Sequence, residues 1–199
     1  LRSEGHEISR LDLGGGLGIP YSLIDNRLPS AKEYAQMISR EVGHLDCEID
    51  IEPGRFIAGN AGILIASVIY EKEGQDRNFL IIDAAMNDLI RVSLYEGTHH
   101  DIIPAINDLK REQITYDVVG PVCETGDTFA KGRLMPKLLP NDLVAFRTAG
   151  AYGAVMASEY NSRPLIPEVM VNGNQFEIIR PRPTFEEIIN RDLIPSWLK

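Results

Sequence analysis

With 199 residues, the chain is long enough to bury about 70% of its unfolded surface, in one large core or two modest ones. Its formal net charge of −9 and its scattered lysines and arginines argue against nucleic acid or an anionic membrane as the main partner, because either requires a basic surface. Two cysteines are too few for a disulfide framework, and no run resembles a signal peptide or a membrane span, so we expect a cytoplasmic protein.

The first predicted strand, Leu11–Leu13, ends in three consecutive glycines, Gly14-Gly15-Gly16. Glycines leave the backbone N–H groups open to a ligand, and such a row of donors suits a phosphate. The spacing excludes two familiar phosphate sites, because no Lys followed by Ser or Thr completes a P-loop and Ile19 stands where a dinucleotide fingerprint needs its third glycine. A phosphate turn and a tight turn without a ligand both remain open at this point.

The next segment predicts a helix that begins after Ser30 and stops at Gly43, with Glu33 completing a capping box. A second short strand over 48–52 follows and ends in Pro53-Gly54-Arg55. Strand, helix and strand form a βαβ unit, so both strands end at the same edge of a parallel sheet. We therefore expect Arg55 to lie beside the glycine turn.

From residue 62 onward, short strands replace the helical pattern. Apolar and β-branched runs predict strands over 63–70, 78–83, 116–122, 142–147, 168–171 and 175–180. Strands at such intervals without long helices predict a β-domain, either a sandwich or a barrel. Thr184 and Glu187 then cap a short helix, and we expect Trp197 to pack the tail down.

Five clusters of residues, read together and in order, carry a resemblance to a known family. They are Gly14-Gly15-Gly16-Leu17-Gly18, Glu52-Pro53-Gly54-Arg55, Asp83-Ala84-Ala85-Met86-Asn87-Asp88-Leu89-Ile90-Arg91, Gly120-Pro121-Val122-Cys123-Glu124-Thr125-Gly126-Asp127 and the segment from Gly150 to Pro164. In this order they resemble the diaminopimelate decarboxylases, pyridoxal-phosphate enzymes that make L-lysine from meso-diaminopimelate. The resemblance extends over essentially the whole chain.

The resemblance implies an α/β plus β architecture. Residues 1–60 would be the last strands of a (β/α)8 barrel, and residues 61–199 a C-terminal β-domain with a closing helix, as in alanine racemase and related decarboxylases. The family's cofactor-binding lysine lies in a segment of the form Tyr-Ala-x-Lys-Ala, and no lysine of this chain has that context. We therefore expect the C-terminal half of a homodimeric enzyme with shared active sites, inactive without its N-terminal barrel half.

For the cofactor, the resemblance implies pyridoxal 5′-phosphate and no metal. The residues that would hold the cofactor phosphate are Gly14, Gly15, Gly16, Glu52, Pro53, Gly54, Arg55 and Tyr152. Backbone donors suit a phosphate because several can converge on it without a loss of side-chain entropy. An ordinary half-buried tyrosine is the alternative at Tyr152.

For the substrate, the resemblance implies meso-diaminopimelate, whose distal end carries a carboxylate and an ammonium. Guanidinium groups pair with a carboxylate in a planar fork, and a carboxylate pairs with the ammonium. The residues implied are Arg55, Arg91, Tyr95, Glu124 and Tyr152. Considered alone, Arg91 is better explained as a member of a solvated ion pair. Only its position in the family motif favours a role in binding the substrate carboxylate.

For catalysis, the resemblance implies that Cys123 returns a proton to the carbon that has lost CO2. A thiol is largely protonated at neutral pH, as an acid catalyst must be, although a small buried hydrophobic residue is the alternative. His99 and His100 carry no assigned role, and we expect them at the surface or at an interface. Two further readings stay open: a decarboxylase of another basic amino acid, such as ornithine or arginine, and a non-catalytic binding protein resembling antizyme inhibitor.

Overall fold

The computed structural model describes residues 1–22, 28–106 and 110–198. The first part contains strands β1 (Arg10–Asp12) and β2 (Glu48–Asp50) and helices α1 (Ala31–Val42) and α2 (Gly54–Ala58). β1 and β2 pair in parallel, with Leu11 opposite Ile49. The predicted βαβ unit is therefore confirmed, and a short helix, α2, follows the second strand where the sequence indicated only a turn.

The predicted start of α1 is confirmed by its cap. The Ser30 hydroxyl accepts the Glu33 N–H at 3.2 Å, and the Glu33 carboxylate accepts the Ser30 N–H at 2.8 Å. Two donors that the first helical turn leaves unpaired are thus satisfied reciprocally.

A six-stranded sheet forms the centre of the chain. Its strands are β3 (Leu64–Glu73), β4 (Asn78–Ile82), β5 (Ile102–Pro104), β6 (Gln113–Val119), β7 (Thr128–Pro136) and β8 (Leu143–Phe146), in the spatial order β5-β8-β3-β4-β6-β7. β4 and β6 are parallel, whereas the other neighbouring strands are antiparallel. It follows that β4, β6 and β8 run in the same direction.

The shared direction of these three strands brings three loops to one edge of the sheet. The loop 83–90, which leads into helix α3 (Arg91–Leu94), follows β4, the loop 120–127 follows β6, and the segment from residue 147 follows β8. Each carries one of the clusters on which the family resemblance rests. Strand order, which the sequence does not reveal, is what assembles them.

Alternate residues of the strands supply the core. Among the fully buried side chains are Leu80, Ile82, Tyr116, Val118 and Phe146. The rings of Phe129 and Phe146 meet edge to face, with centroids 4.8 Å apart. Such aromatic pairs stabilise a core beyond the area that they bury.

The sequence prediction missed strands β5 and β7. β5 has only three residues and ends in a proline. Within β7, Gly132 has a left-handed backbone (φ 64°), and its N–H donates to the Asp117 carboxylate at 2.8 Å instead of to the neighbouring strand. This irregularity breaks the alternation by which strands are predicted.

A single arginine links the two edge strands of the sheet. From β7, the Arg133 guanidinium donates to the carbonyl oxygen of Ile102 in β5 at 3.0 Å and pairs with the Asp101 carboxylate. Asp101 is 4% exposed and the Arg133 side chain is 34% exposed, so a buried carboxylate pairs with a partly exposed guanidinium. The sheet is therefore curved, and its edge strands β5 and β7 are joined by the Arg133 side chain and not by backbone hydrogen bonds of a strand pair.

The segment after the glycine turn is anchored on this sheet. Leu17, Ile19 and Tyr21 are buried. The Thr148 hydroxyl donates to the Pro20 carbonyl at 3.2 Å, and the Asp101 N–H donates to the Tyr21 carbonyl at 2.8 Å. The glycine turn is thus fixed relative to the loops at the sheet edge.

The C-terminal part forms a hairpin of β9 (Glu168–Asn172) and β10 (Gln175–Arg180), followed by α4 (Phe185–Ile189). Thr184 and Glu187 form the predicted capping box. The expected packing of Trp197 is wrong for this chain, because its side chain is 81% exposed and the neighbouring apolar residues are exposed with it. Throughout the described ranges, no helix combines the length and apolar character that a membrane crossing needs.

One carboxylate fixes the turn that leads into β8. Asp142 accepts the Leu139 N–H at 2.8 Å and pairs with the Arg111 guanidinium. The Leu139 hydrogen bond, followed by Arg111, holds the pKa of Asp142 below its usual value of 3.8. A carboxylate whose pKa is lowered on folding stabilises the fold above its unfolded pKa and loses that effect as the pH falls through the folded pKa.

We predict that Asp142→Asn lowers the free energy of unfolding by about 1 kcal/mol near neutral pH, because a charge-assisted hydrogen bond is lost. The difference should shrink as the pH falls from about 4 through the lowered pKa of the folded state, below which the wild-type carboxylate is itself protonated. Urea denaturation followed by circular dichroism measures both values. Asp76→Asn, which removes an exposed carboxylate, is the control, and an equal loss of stability at both pH values would contradict the prediction.

Candidate functional site

The glycine turn has a backbone that glycine alone adopts without strain. Gly14 (φ 68°) and Gly16 (φ 95°) lie in the left-handed region. A Cβ on Gly15 would come within 2.7 Å of the Glu52 carbonyl oxygen, and the Glu52 N–H donates to the Gly14 carbonyl at 2.8 Å. The turn after β1 and the end of β2 therefore lie side by side, as the βαβ pattern predicted.

Only some of the predicted phosphate donors are free. The Gly14 N–H donates to the Asp12 carboxylate at 2.8 Å, and the Gly54 N–H donates to the Glu52 carbonyl at 2.8 Å. Pro53 has no N–H. Among the described residues, the N–H groups of Gly15, Gly16 and Arg55 make no hydrogen bond, and these fit a phosphate approaching between the turn and the start of α2.

The loop that carries Tyr152 is joined to the end of α2 by a backbone hydrogen bond. The Gly150 N–H donates at 3.0 Å to the carbonyl of Gly59, the residue that caps α2, the helix that also carries Arg55. Tyr152 has φ 59°, a left-handed backbone that costs a non-glycine residue about 1 kcal/mol or more. The residue as a whole is 47% exposed. A strained and accessible residue is typical of a ligand site.

Arg91 is a buried cation without a carboxylate partner among the described residues. Its side chain is only 8% exposed, and its guanidinium carbon lies 4.0 Å from the centroid of the Tyr21 ring. Nη1 is buried and makes no hydrogen bond, and no Asp or Glu of the described chain is within ion-pair distance. The alternative of a solvated ion pair is therefore wrong. An uncompensated buried charge is costly, which points to an anion supplied by a ligand.

The loop that carries Cys123 and Glu124 is organised by Asp127. One oxygen of the Asp127 carboxylate accepts the Val122 N–H and the other accepts the Met86 N–H, each at 2.7 Å. Burial raises the pKa of Asp127, while these two hydrogen bonds act in the opposite direction. The carboxylate thus ties the Cys123 loop to the loop that leads to Arg91.

A second hydrogen bond joins the same two loops. The Ser93 hydroxyl, in α3, donates to the Gly126 carbonyl. Tyr95, which ends α3, and both Cys123 and Glu124 are exposed. The structure thus places the loop of Cys123 and Glu124 beside the helix that begins at Arg91 and precedes Tyr95.

The loop 83–90 is fixed from its other side by residues to which the sequence assigned no role. The buried Asp88 accepts the Ala85 N–H at 2.8 Å and lies 3.5 Å from the Arg163 guanidinium. The Asn87 side chain donates to the Ser158 carbonyl at 2.9 Å. Burial raises the pKa of Asp88 despite Arg163. These residues lie inside the motif clusters, which was the sequence signal that they matter. That signal did not distinguish residues that anchor a loop from residues that bind a ligand.

Both histidines were expected at the surface or at an interface, which is confirmed for His99 and wrong for His100. His99 is exposed, but His100 is 4% exposed and its ring meets the Tyr21 ring edge to face, with centroids 5.0 Å apart. His100 Nδ1 lies 2.9 Å from the Arg147 carbonyl oxygen and, because a carbonyl only accepts, carries the proton. Burial, followed in effect by the nearby Arg91, lowers the pKa of His100.

Two groups of predicted residues emerge. The first joins the glycine turn, Glu52, the α2 residues and the Tyr152 loop. The second joins Arg91 and Tyr95 to the Cys123–Glu124 loop, and Tyr21 connects the two groups by stacking under Arg91. Within the part of the chain that the structure describes, no hydrogen bond or ion pair links Cys123 or Glu124 to the first group.

Comparison with known proteins identifies relatives of the same architecture. Diaminopimelate decarboxylase of Zymomonas mobilis is 45% identical over 198 residues, which is 100% of this chain and 46% of the relative. That of Vibrio cholerae is 49% identical over 183 residues, covering 92% of this chain and 43% of the relative. The crystal structure of diaminopimelate decarboxylase from Helicobacter pylori complexed with L-lysine superimposes with a TM-score of 0.85 at 39% identity, covering 96% of this chain and 46% of that one.

The chain thus spans about half the length of the curated relatives that it matches. Residues 21–150, which include the whole six-stranded sheet, match the family described as "Pyridoxal-dependent decarboxylase, C-terminal sheet domain". The chain belongs to the pyridoxal-dependent decarboxylases, of which it contains the C-terminal sheet domain.

Proposed function

We propose that this chain is the C-terminal portion of an enzyme that decarboxylates meso-diaminopimelate to L-lysine with pyridoxal 5′-phosphate. The observation that carries the proposal is Arg91, a buried guanidinium with no carboxylate within reach among the described residues. Diaminopimelate has a second carboxylate at the end remote from the reaction, whereas ornithine has none. A built-in cation without a counter-ion fits the former substrate.

The distal end of the substrate would be held by four side chains. Arg91 and the half-buried Arg55, which also lacks a described ion pair, would take the carboxylate with the Tyr95 hydroxyl. Glu124 would take the ammonium. The arginine–carboxylate and Glu124–ammonium pairs each combine a charged donor with a charged acceptor, the strongest class of hydrogen bond in proteins. The exposed positions of Tyr95 and Glu124 leave them accessible to such a ligand.

The cofactor phosphate would sit at the first group of residues. Gly15, Gly16 and Arg55 offer free N–H groups, and Tyr152 offers its hydroxyl. The cradle around the phosphate would be shaped by four residues that donate no N–H to it: Gly14, Glu52, Pro53 and Gly54. Pro53 has no N–H, and the N–H groups of the other three donate to acceptors within the chain. When bound, pyridoxal phosphate takes up the electron pair left on the substrate carbon as CO2 departs.

Cys123 would supply the proton that replaces CO2. Its thiol is exposed on a loop whose backbone is fixed at both ends by the Asp127 carboxylate and by the Gly120–Asp127 hydrogen bond of 3.0 Å. A fixed loop holds a general acid at one position, which is what proton transfer requires. We propose that this loop reaches the active site of a second subunit in a homodimer.

The remaining half of the enzyme would complete the fold. In our proposal, residues 1–60 are the last strands of a (β/α)8 barrel and residues 61–199 are the β-domain. The exposed apolar side chains of β9, β10 and α4 fit a surface that another part of the protein covers. The chain would be inactive alone, because the cofactor-binding lysine lies outside it, and the whole enzyme would act in the cytoplasm.

Turnover by the full-length protein tests this proposal against other basic amino acids. Purified protein loaded with pyridoxal phosphate is incubated with meso-diaminopimelate, ornithine or arginine, and the products are identified by mass spectrometry. We expect L-lysine from the first substrate and little product from the others. Preferred turnover of ornithine or arginine, or binding without turnover of any of the three, would overturn the assignment.

For Arg91→Met we predict a rise in KM for diaminopimelate of about 30-fold or more, with kcat changed less than about threefold, because the lost pair is made in the ground state as well. The apo protein should melt at the same or a higher temperature, since an uncompensated buried charge is removed. Arg77→Met, which removes an exposed arginine paired with Asp117, is the control. An unchanged KM would remove Arg91 from substrate binding.

For Cys123→Ala we predict a fall in kcat of about 100-fold or more, with KM and cofactor binding near their wild-type values, because a general acid acts in the transition state. Steady-state kinetics and the absorbance of bound cofactor measure these effects. Cys47→Ala provides the matched control, because Cys47 contacts Ile8 and Arg2 near the N-terminus and belongs to neither group of predicted site residues. Wild-type kcat in Cys123→Ala would exclude the thiol as the proton donor.

For Asp127→Asn we predict a loosened Cys123 loop and a fall in kcat of about tenfold, because an amide can accept only one of the two N–H groups that the carboxylate now accepts. Hydrogen–deuterium exchange should accelerate in peptides covering 120–127 and not in the sheet core. Asp192→Asn, at an exposed residue near the C-terminus, is the control. Unchanged exchange in 120–127 would mean that Asp127 does not hold the loop.

A further inference from the structure

We infer that Tyr21 is the positioning residue for carboxylate recognition: its ring holds the Arg91 guanidinium in the orientation that accepts a substrate carboxylate. The inference deepens the proposed function and rests on it. It gives a role to the end of the glycine-rich segment, beyond the phosphate turn. Tyr21 would touch neither the reacting atoms nor the carboxylate and would act through Arg91 alone.

The contact between the two side chains is close and buried. The guanidinium carbon of Arg91 lies 4.0 Å from the centre of the Tyr21 ring, and each of the two residues is 8% exposed. A cation over an aromatic face is attracted by the ring quadrupole, most strongly where water is excluded. A guanidinium that contacts a ring through its face keeps the N–H donors at its edges free for a carboxylate.

No other described group competes for this orienting role. An arginine in a protein core is ordinarily oriented by a carboxylate, but none lies within ion-pair distance of Arg91 in the described ranges, and its buried Nη1 has no hydrogen-bond partner. The short helix α3 fixes only the backbone of Arg91, through hydrogen bonds from Tyr95 and Thr98 to the Arg91 carbonyl. Among the described residues, the Tyr21 ring is therefore the group left to position the guanidinium.

Tyr21 is itself held from three sides. Its carbonyl accepts the Asp101 N–H at 2.8 Å, and the preceding carbonyl of Pro20 accepts the Thr148 hydroxyl at 3.2 Å. The His100 ring stands against the Tyr21 ring at 84° and is fixed by its own hydrogen bond to the Arg147 carbonyl. A ring with so little freedom can impose its orientation on the cation above it.

The position of Tyr21 in the chain adds a consequence. Tyr21 follows Gly16 by five residues, and Leu17 and Ile19 between them are buried. One rigid segment therefore supports the predicted phosphate site at its start and the predicted carboxylate site at its end. The spacing between the two ends of a bound cofactor–substrate pair is thus built into a single stretch of backbone.

A matched pair of ligands tests the inference on the full-length enzyme loaded with pyridoxal phosphate. L-lysine and cadaverine differ by one carboxylate, so only the binding of L-lysine depends on the orientation of Arg91. For Tyr21→Leu we expect the Kd of L-lysine to rise about tenfold while that of cadaverine stays within about twofold. Tyr21→Phe, which keeps the ring, should hold the Kd of L-lysine within about threefold of the wild type.

Fluorinated phenylalanines at position 21 provide a measurement that does not depend on the Leu variant folding. Each added fluorine weakens the negative face of the ring at nearly constant shape, so the Kd of L-lysine should rise stepwise along the series and that of cadaverine should not. A flat series, or equal losses for both ligands, would overturn the inference. Wild-type turnover of diaminopimelate is measured alongside, so failure there refutes the proposed function, whereas failure of the Tyr21 series alone refutes only this positioning role.

Discussion

The proposed site depends on one costly arrangement, a guanidinium buried without a carboxylate partner among the described residues. Desolvating a charge costs several kcal/mol unless a partner compensates it. Tyr21 offsets part of that cost with the face of its ring, at 4.0 Å from the Arg91 guanidinium carbon, and in the proposed function a substrate carboxylate offsets the remainder. Under that proposal the fold gives up stability in its ligand-free state to keep a binding group in place, a trade that is common at functional sites.

Two buried carboxylates, unlike Arg91, have hydrogen-bond partners within the described chain and stabilise the loops. Asp127 and Asp88 accept backbone N–H groups from the loops beside them, and burial raises the pKa of each. Short polar side chains of this kind replace the ladder hydrogen bonds that loop backbones cannot make with a strand. The loops at the sheet edge are consequently rigid where they start and end, while Cys123, Glu124 and Tyr95 point to solvent.

Local signals could be predicted from the sequence, and long-range placement could not. The capping box at Ser30 and the parallel pairing of β1 with β2 follow from neighbouring residues, and both are present. Strand β7 was missed because Gly132 interrupts its alternation, and His100 was placed at the surface because its burial depends on Tyr21, far away in sequence. The burial of Arg91 has the same origin, since contacts between distant segments decide it. For the assembly of the site, the family resemblance supplied the residues but not the strand order that gathers their loops.

The glycine turn shows why a structural and a functional interpretation of one motif need not compete. Gly14 and Gly16 are required by their backbone angles and Gly15 by the Glu52 carbonyl beside it, so packing alone explains all three. In the same geometry, however, the N–H groups of Gly15 and Gly16 have no hydrogen-bond acceptor among the described residues. Unpaired N–H groups need water or a ligand, and several of them converging in one place favour an anion. A backbone that must be glycine for steric reasons thereby becomes a donor site, and the segment that continues from it carries Tyr21 to its place beneath Arg91.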